Sequence, residues 1–232
     1  LFPGKQEYTL TIDVFYKQLY NLVENVSGVS FYGASSRWND LVLGGGEGKA
    51  YGAELLIEKK KGRINGSIAY TLSKNMRKFN GINRNKWFPY RYDRRHEVSI
   101  MLNYELNEHV KIAANWIFMS GEAASLPQYK YLIDIQQFDV ESVSVGDKYD
   151  QAFYSKTRNS FRMPAYHRLD FSLNFERDVY RGRRTWSVGL YNAYNQMNSY
   201  YMYYEEDDKS GVKLYSVTLF PIMPSISYRL EF

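Results

Sequence analysis

His96-Glu-Val-Ser-Ile-Met-Leu-Asn-Tyr-Glu-Leu106 alternates strictly. Val98, Ile100, Leu102, Tyr104 and Leu106 fall on one side, and Glu97, Ser99, Met101, Asn103 and Glu105 on the other. A helical period of 3.6 does not fit, so the stretch reads as a β-strand with one apolar face. The pattern recurs upstream. Residues 8–17 place Tyr8, Leu10, Ile12, Val14 and Tyr16 together, with Phe15 as the exception. Residues 51–57 place Tyr51, Ala53, Leu55 and Ile57 together, and residues 64–73 do so with Ile64, Ile68, Tyr70 and Leu72. Downstream, residues 110–119, 166–175, 185–194 and 222–232 repeat it, giving eight expected strands and no convincing helix.

The connections alternate in length. Those near 59–63, 106–109 and 176–184 are short, whereas 21–47, 74–95, 120–165 and 199–220 are long. A soluble sandwich has no reason to gather its long loops at one end, but an outer-membrane barrel has short periplasmic turns and long extracellular loops. The expectation is an all-β, antiparallel transmembrane barrel occupying 1–232 as a single unit, its apolar faces toward lipid.

Composition agrees. Aromatic residues make up 17% of the 232 residues, with Tyr 23, Phe 13 and Trp 4. Many lie near expected strand ends: Tyr16, Tyr20, Trp87, Phe88, Tyr90, Tyr92, Trp116, Phe118, Tyr166 and Tyr200–Tyr204. That is the placement of interfacial girdles. The mean hydropathy of −0.51 excludes a helical membrane protein but suits strands that alternate. With Cys 0 there is no disulfide scaffold or thiolate metal site. A net charge of +5 is too mild to point to nucleic acid. The opening Leu1-Phe-Pro-Gly-Lys5 has no basic region followed by an apolar stretch. Either such a segment has been removed or the chain begins partway through a longer protein.

The polar face carries Asp13, Glu54, Glu58, Glu97, Glu105, Lys111, Arg168, Asp170, Arg229 and Glu231. Charges of this density need partners or water. Most read as cross-strand pairs, and Asp13, Glu54, Glu97, Arg168, Asp170 and Arg229 are the candidates for contacts to a lumen or a plug. Catalysis is disfavoured by parity. His96 and His167 share the apolar face, while Asp93 and Asp170 fall on the other, so no His–carboxylate pair forms within a strand. No metal or cofactor site is expected; Gly44-Gly-Gly-Glu-Gly48 lacks the Lys-Ser/Thr of a phosphate loop, and Glu205-Glu-Asp-Asp208 reads as a solvated loop tip. The basic run from Lys74 to Arg95 suits lipopolysaccharide phosphates or an anionic substrate.

Several stretches resemble the barrel of TonB-dependent outer-membrane receptors, in the style of the Bacteroidota. They are Gly48-Lys-Ala-Tyr-Gly-Ala-Glu-Leu-Leu-Ile-Glu58, Ile64-Asn-Gly-Ser-Ile-Ala-Tyr-Thr-Leu-Ser-Lys74, Tyr92-Asp-Arg-Arg-His-Glu-Val-Ser-Ile100, Trp116-Ile-Phe-Met-Ser-Gly121, Tyr166-His-Arg-Leu-Asp-Phe-Ser-Leu173, Leu190-Tyr-Asn-Ala-Tyr-Asn195 and Phe220-Pro-Ile-Met-Pro-Ser-Ile-Ser-Tyr-Arg-Leu-Glu-Phe232. The resemblance implies a bacterial outer-membrane location and import of a scarce nutrient, such as an iron chelate, cobalamin or an oligosaccharide. It implies no enzyme. Such barrels have about 22 strands around a plug, so about eight strands would be the C-terminal portion of one, with no plug domain recognisable. Partners implied are membrane lipid and lipopolysaccharide, the plug and remaining strands, the TonB complex acting through the plug, the barrel-assembly machinery and a surface lipoprotein. Tyr228, Leu230 and Phe232 resemble the family's assembly signal. The competing reading is a self-contained eight-stranded barrel serving as anchor or adhesin. It requires the first and last strands to pair.

Overall fold

The computed structural model describes residues 7–25, 41–126, 129–134, 149–154, 157–180, 182–207 and 211–232. Eight long strands form one antiparallel sheet: β1 (Tyr8–Asn25), β2 (Val42–Lys59), β3 (Ile64–Lys78), β4 (His96–Glu105), β5 (Val110–Met119), β6 (Tyr166–Val179), β7 (Gly182–Tyr191) and β8 (Met223–Glu231). Each pairs with its sequence neighbours in that order, and Phe88–Pro89 adds a two-residue bridge to the end of β3. Among the described residues β1 bonds only to β2 and β8 only to β7, so the sheet is open. That removes the premise of the closed eight-stranded anchor.

All eight strands fall where the alternation places them, but their ends differ. β1 runs on to Asn25 and β2 begins at Val42, so two ladders extend well into the stretch expected to be loop. At about 3.3 Å per residue, an 18-residue strand spans nearly 60 Å, about twice a hydrocarbon core; the surplus lies at the long-loop end. The long connections are also not plain loops. Tyr129–Asp134 pairs with Tyr149–Tyr154, Ser199–Asp207 with Gly211–Thr218, and Ala123–Ala124 with Phe161–Arg162. The Tyr200–Tyr204 cluster therefore belongs to a separate hairpin, not to the end of a wall strand. Period-two reading missed these hairpins because their alternation is short and interrupted.

Register fixes the faces. The row Val14–Ala53–Leu72 is apolar, and the row Asp13–Glu54–Thr71–Glu97 beside it is polar. Phe15, the exception to alternation, joins the polar face, where its ring lies over Gly52. Tyr166 also lies on that face, sharing parity with Arg168, which corrects its girdle assignment.

The sheet has no conventional core. Among the described residues the buried hydrophobic ones are Leu41, Phe79, Ile82, Phe88, Ala123 and Leu126, none of them in the eight wall strands. Phe79, Ile82 and Phe88 cluster at the long-loop end with Leu22 and Leu43 against them. This corrects Phe88, which is 1% exposed and fills a core instead of a girdle. It also gives the glycine run a purpose: a Cβ on Gly46 would sit 2.2 Å from the Phe79 ring. On the wall, by contrast, Leu10, Ile12, Val14 and Ile226 are 63–80% exposed. A water-soluble protein does not leave a contiguous apolar face of this size uncovered.

The apolar face is bounded by Lys, Arg and His side chains, with no charged side chain between them. On β2 the outward positions between Lys49 and Lys59 carry none, and on β6 the same holds between His167 and Arg177. Each interval is ten residues, about 33 Å along the strand. The centres, Glu54 and Ser172, do not lie in one row: traced through the register to β4 they reach Glu97 and Asn103. The uncharged belt thus climbs six residues over four strand steps, about 20 Å along against about 19 Å across. Strands that cross a level belt in this way tilt by about 45°, and the belt is then about 24 Å tall, matching the tilt and apolar band of outer-membrane barrels.

Candidate functional site

The polar face and its long-loop rim hold the chemistry. Six candidate residues, Asp13, Glu54, Glu97, Arg168, Asp170 and Arg229, share the polar face by register. The structure brings only some of them together. Arg168 meets Asp170 at 2.9 Å, donates to the Tyr166 hydroxyl at 2.9 Å, bonds the Tyr191 hydroxyl and lies 4.1 Å over the Tyr191 ring. Asp170 also accepts from the Asn192 backbone N–H at 3.1 Å, tying the cluster to the corner after β7. Arg229 pairs with Glu231 at 3.6 Å, both well exposed. Nearer the short-turn end, Lys111 donates to Glu176 at 2.9 Å.

Asp13, Glu54 and Glu97 stand apart. Asp13 is directly opposite Glu54, and Glu97 lies in the same row beyond Thr71. None has an ion pair among the described residues. Like charges directly opposite are unfavourable in a sheet, so these carboxylates weaken the wall rather than staple it.

The rim is built by residues that alternation cannot flag. Asp93 is buried, its carboxylate accepting from the Asn75 backbone N–H at 2.6 Å and from the Arg162 guanidinium. Glu24 near the end of β1 meets Arg158 at 3.0 Å and Arg77 at 3.6 Å, while Arg77 lies 3.4 Å from the Tyr90 ring centre. Asn159, also buried, donates to the Pro89 carbonyl. These contacts bind the connection between β5 and β6 to the ends of β1 and β3. Nothing in the local sequence pairs Asp93 with Arg162, 69 residues away.

Beside this tie lies a rim cavity of about 600 Å³, walled by Arg91, Arg94, Glu122, Tyr166, Tyr191 and Tyr200 among others. Arg94 is engaged with Glu122 at 3.2 Å. The adjoining hairpin stacks Tyr201, Tyr203 and Tyr215 with centroids 5.7–5.8 Å apart. Partial burial, with the Glu205 carboxylate second, raises the Tyr203 hydroxyl above the ordinary tyrosine value. Of the acidic run 205–208, Asp208 and the side chains of Glu206 and Asp207 lie outside the described residues.

His96 and His167 lie on the apolar face, as their parity requires. His96 Nδ1 is 2.9 Å from the Tyr70 hydroxyl, and His167 Nδ1 is 2.8 Å from that of Tyr194. The Tyr-Asn-Ala-Tyr-Asn stretch after β7 is a tight corner. Asn192 and Asn195 adopt positive φ there, and the buried Asn192 amide donates to the Gln196 and Phe220 carbonyls. Tyr228 and Leu230 lie on the apolar face of β8, half exposed, and Phe232 follows, fully exposed.

Comparison with known proteins fits this geometry. No curated protein matches the chain. Among solved structures, the chain is similar to the ferric-catecholate import receptor Fiu from E. coli K12 in its closed form, at 14% identity and a TM-score of 0.55. The match covers 98% of this chain but 26% of that receptor, so the chain spans about a quarter of its length. The family model for the TonB-dependent receptor-like β-barrel matches residues 2–195. The chain belongs to the TonB-dependent receptor β-barrel family.

Proposed function

We propose that this chain forms a C-terminal sector of the wall of a TonB-dependent transporter in a bacterial outer membrane, importing an iron chelate, cobalamin or an oligosaccharide. The observation that carries the reading is the uncharged belt, whose height and slant match a tilted barrel wall in a bilayer. Unpaired strand edges cannot face hydrocarbon, where no water satisfies them. β1 and β8 therefore pair with strands from the rest of the receptor. The same remainder supplies the plug that TonB moves, and the unpaired row Asp13, Glu54 and Glu97 lies on the face toward it. The long-loop end is extracellular, and the rim cavity is where nutrient first meets the wall. Tyr228, Leu230 and Phe232 act as the signal for the barrel-assembly machinery, and a surface lipoprotein is a candidate partner at the rim.

The test is a strain lacking the full receptor, grown with each nutrient class limiting. Loss of growth on one class, restored by the intact receptor and abolished again without TonB, is expected. Unimpaired growth on all three would overturn the proposal.

A further inference from the structure

An apolar groove of about 550 Å³ runs along β1, β2 and β3 near the long-loop end. Its rows are Val14–Ala53–Leu72 and Tyr16–Tyr51–Lys74, all on the lipid-facing side. Tyr16 and Tyr51 stack at 6.4 Å, forming one wall, and Ala53, the smallest side chain of its row, leaves the floor open. The upper end meets the boundary of the uncharged belt. There Lys74 faces Tyr51, and Lys49 occupies the next outward position on β2, making the two lysines diagonal neighbours. Diagonal partners on one face lie about 7–8 Å apart or less, a separation one phosphate can bridge. Neither lysine has an ion pair among the described residues; Lys49 is instead held 4.3 Å over the Trp87 ring.

We propose that this groove is a binding site for lipid A, the phosphorylated acyl lipid of the outer leaflet. One acyl chain lies over Ala53 between Tyr16 and Leu72, and one phosphate sits between Lys74 and Lys49. This rests on the reading that the long-loop end is extracellular. Three features select this occupant. The groove lies within the belt, so its contents are lipid and not a soluble ligand. The charges at its mouth are mainly cationic and sit at headgroup height: Lys49 and Lys74, with Arg95 in the lining, against the single carboxylate of Glu47 one outward position beyond Lys49. Trp87 under Lys49 fixes one ammonium, which reduces the ordering cost of binding an anion. A general attraction of basic groups to the membrane would need neither the groove nor the small residue at its floor.

The full receptor, extracted in mild detergent from outer membranes, should retain bound lipid A detectable by native mass spectrometry. In nanodiscs it should prefer bisphosphorylated to dephosphorylated lipid A. Charge-assisted contacts to phosphate set the expected loss at about tenfold for each lysine removed in Lys49→Gln and Lys74→Gln. Ala53→Leu, which fills the floor and keeps both charges, should also reduce retention. Arg184→Gln, at the opposite boundary of the belt, should leave it unchanged. Equal retention by the wild type and the double lysine variant, or no preference for the phosphorylated lipid, would overturn the site. If Ile100 is protected by lipid in these same preparations while lipid A is not retained, only this inference fails. If Ile100 is open to water, the membrane reading fails first.

Discussion

Replacing Ile100 with arginine tests the face assignment where its energetic signature is largest. Ile100 lies between Ile68 and Trp116 in register, on the apolar face of β4. The belt centres found on β2 and β6 interpolate on β4 to residue 100, midway between Glu97 and Asn103. A lipid-facing arginine at the bilayer midplane costs about 2–4 kcal/mol, falling to about 0–1 near the interfaces. Ile100→Arg should therefore destabilise the intact receptor in phospholipid vesicles by about 2–4 kcal/mol. Met76→Arg, on the same face but beyond the Lys74 boundary, should cost less than about 1 kcal/mol. Ser99→Arg, one residue away on the polar face, should be near neutral. The measurement is reversible urea unfolding, followed by tryptophan fluorescence and by heat-modifiable gel mobility. A cost at Ser99 equal to that at Ile100, or no difference between Ile100 and Met76, would refute the register and the belt.

Other consequences concern the rim and assembly. Asp93→Asn should lose about 1–3 kcal/mol of local stability, since a buried carboxylate bonded to Arg162 and a backbone N–H becomes a neutral amide; faster hydrogen exchange in 88–95 and 157–163 is the readout. Gly121→Ala should part the Ala123–Arg162 bridge, because its Cβ would fall 1.6 Å from the Met163 carbonyl oxygen. Limited proteolysis of whole cells should then cut within 120–165, whereas unchanged resistance would show that the bridge does not hold the connection. Phe232→Asp should lower outer-membrane levels far more than it alters nutrient affinity in the protein that is inserted. Normal levels would remove the assembly role.

The eight wall strands were legible because a sheet between lipid and a polar interior must alternate, and a single inversion exposes a charge to lipid. Phe15 is the instructive exception: its partner Gly52 makes room on the polar face, a relation between strands that one strand cannot show. The polar residues of the wall were legible as a face but not as pairs. Arg168 and Asp170 could be matched by spacing, whereas Glu24, Arg77 and Arg158 meet only after two long connections fold back. Phe88, which packs in a buried cluster with Phe79 and Ile82, defies the girdle reading for the same reason. Aromatics near strand ends serve both girdles and cores, and only the tertiary fold separates the two uses.

The central claim is that this chain is one sector of a larger wall, and the distance across it tests that most directly. Val14 and Ile226 lie on the apolar faces of the first and last strands and are 80% and 70% exposed. Spin labels at Val14→Cys and Ile226→Cys in the intact receptor, measured by double electron–electron resonance in native outer membranes, report the chord between β1 and β8. In a wall of about 22 strands tilted by about 45°, that chord is roughly 40 Å. A distance near 40 Å is the predicted result. A distance under about 20 Å, with β1 beside β8 in a small closed barrel, would contradict the account.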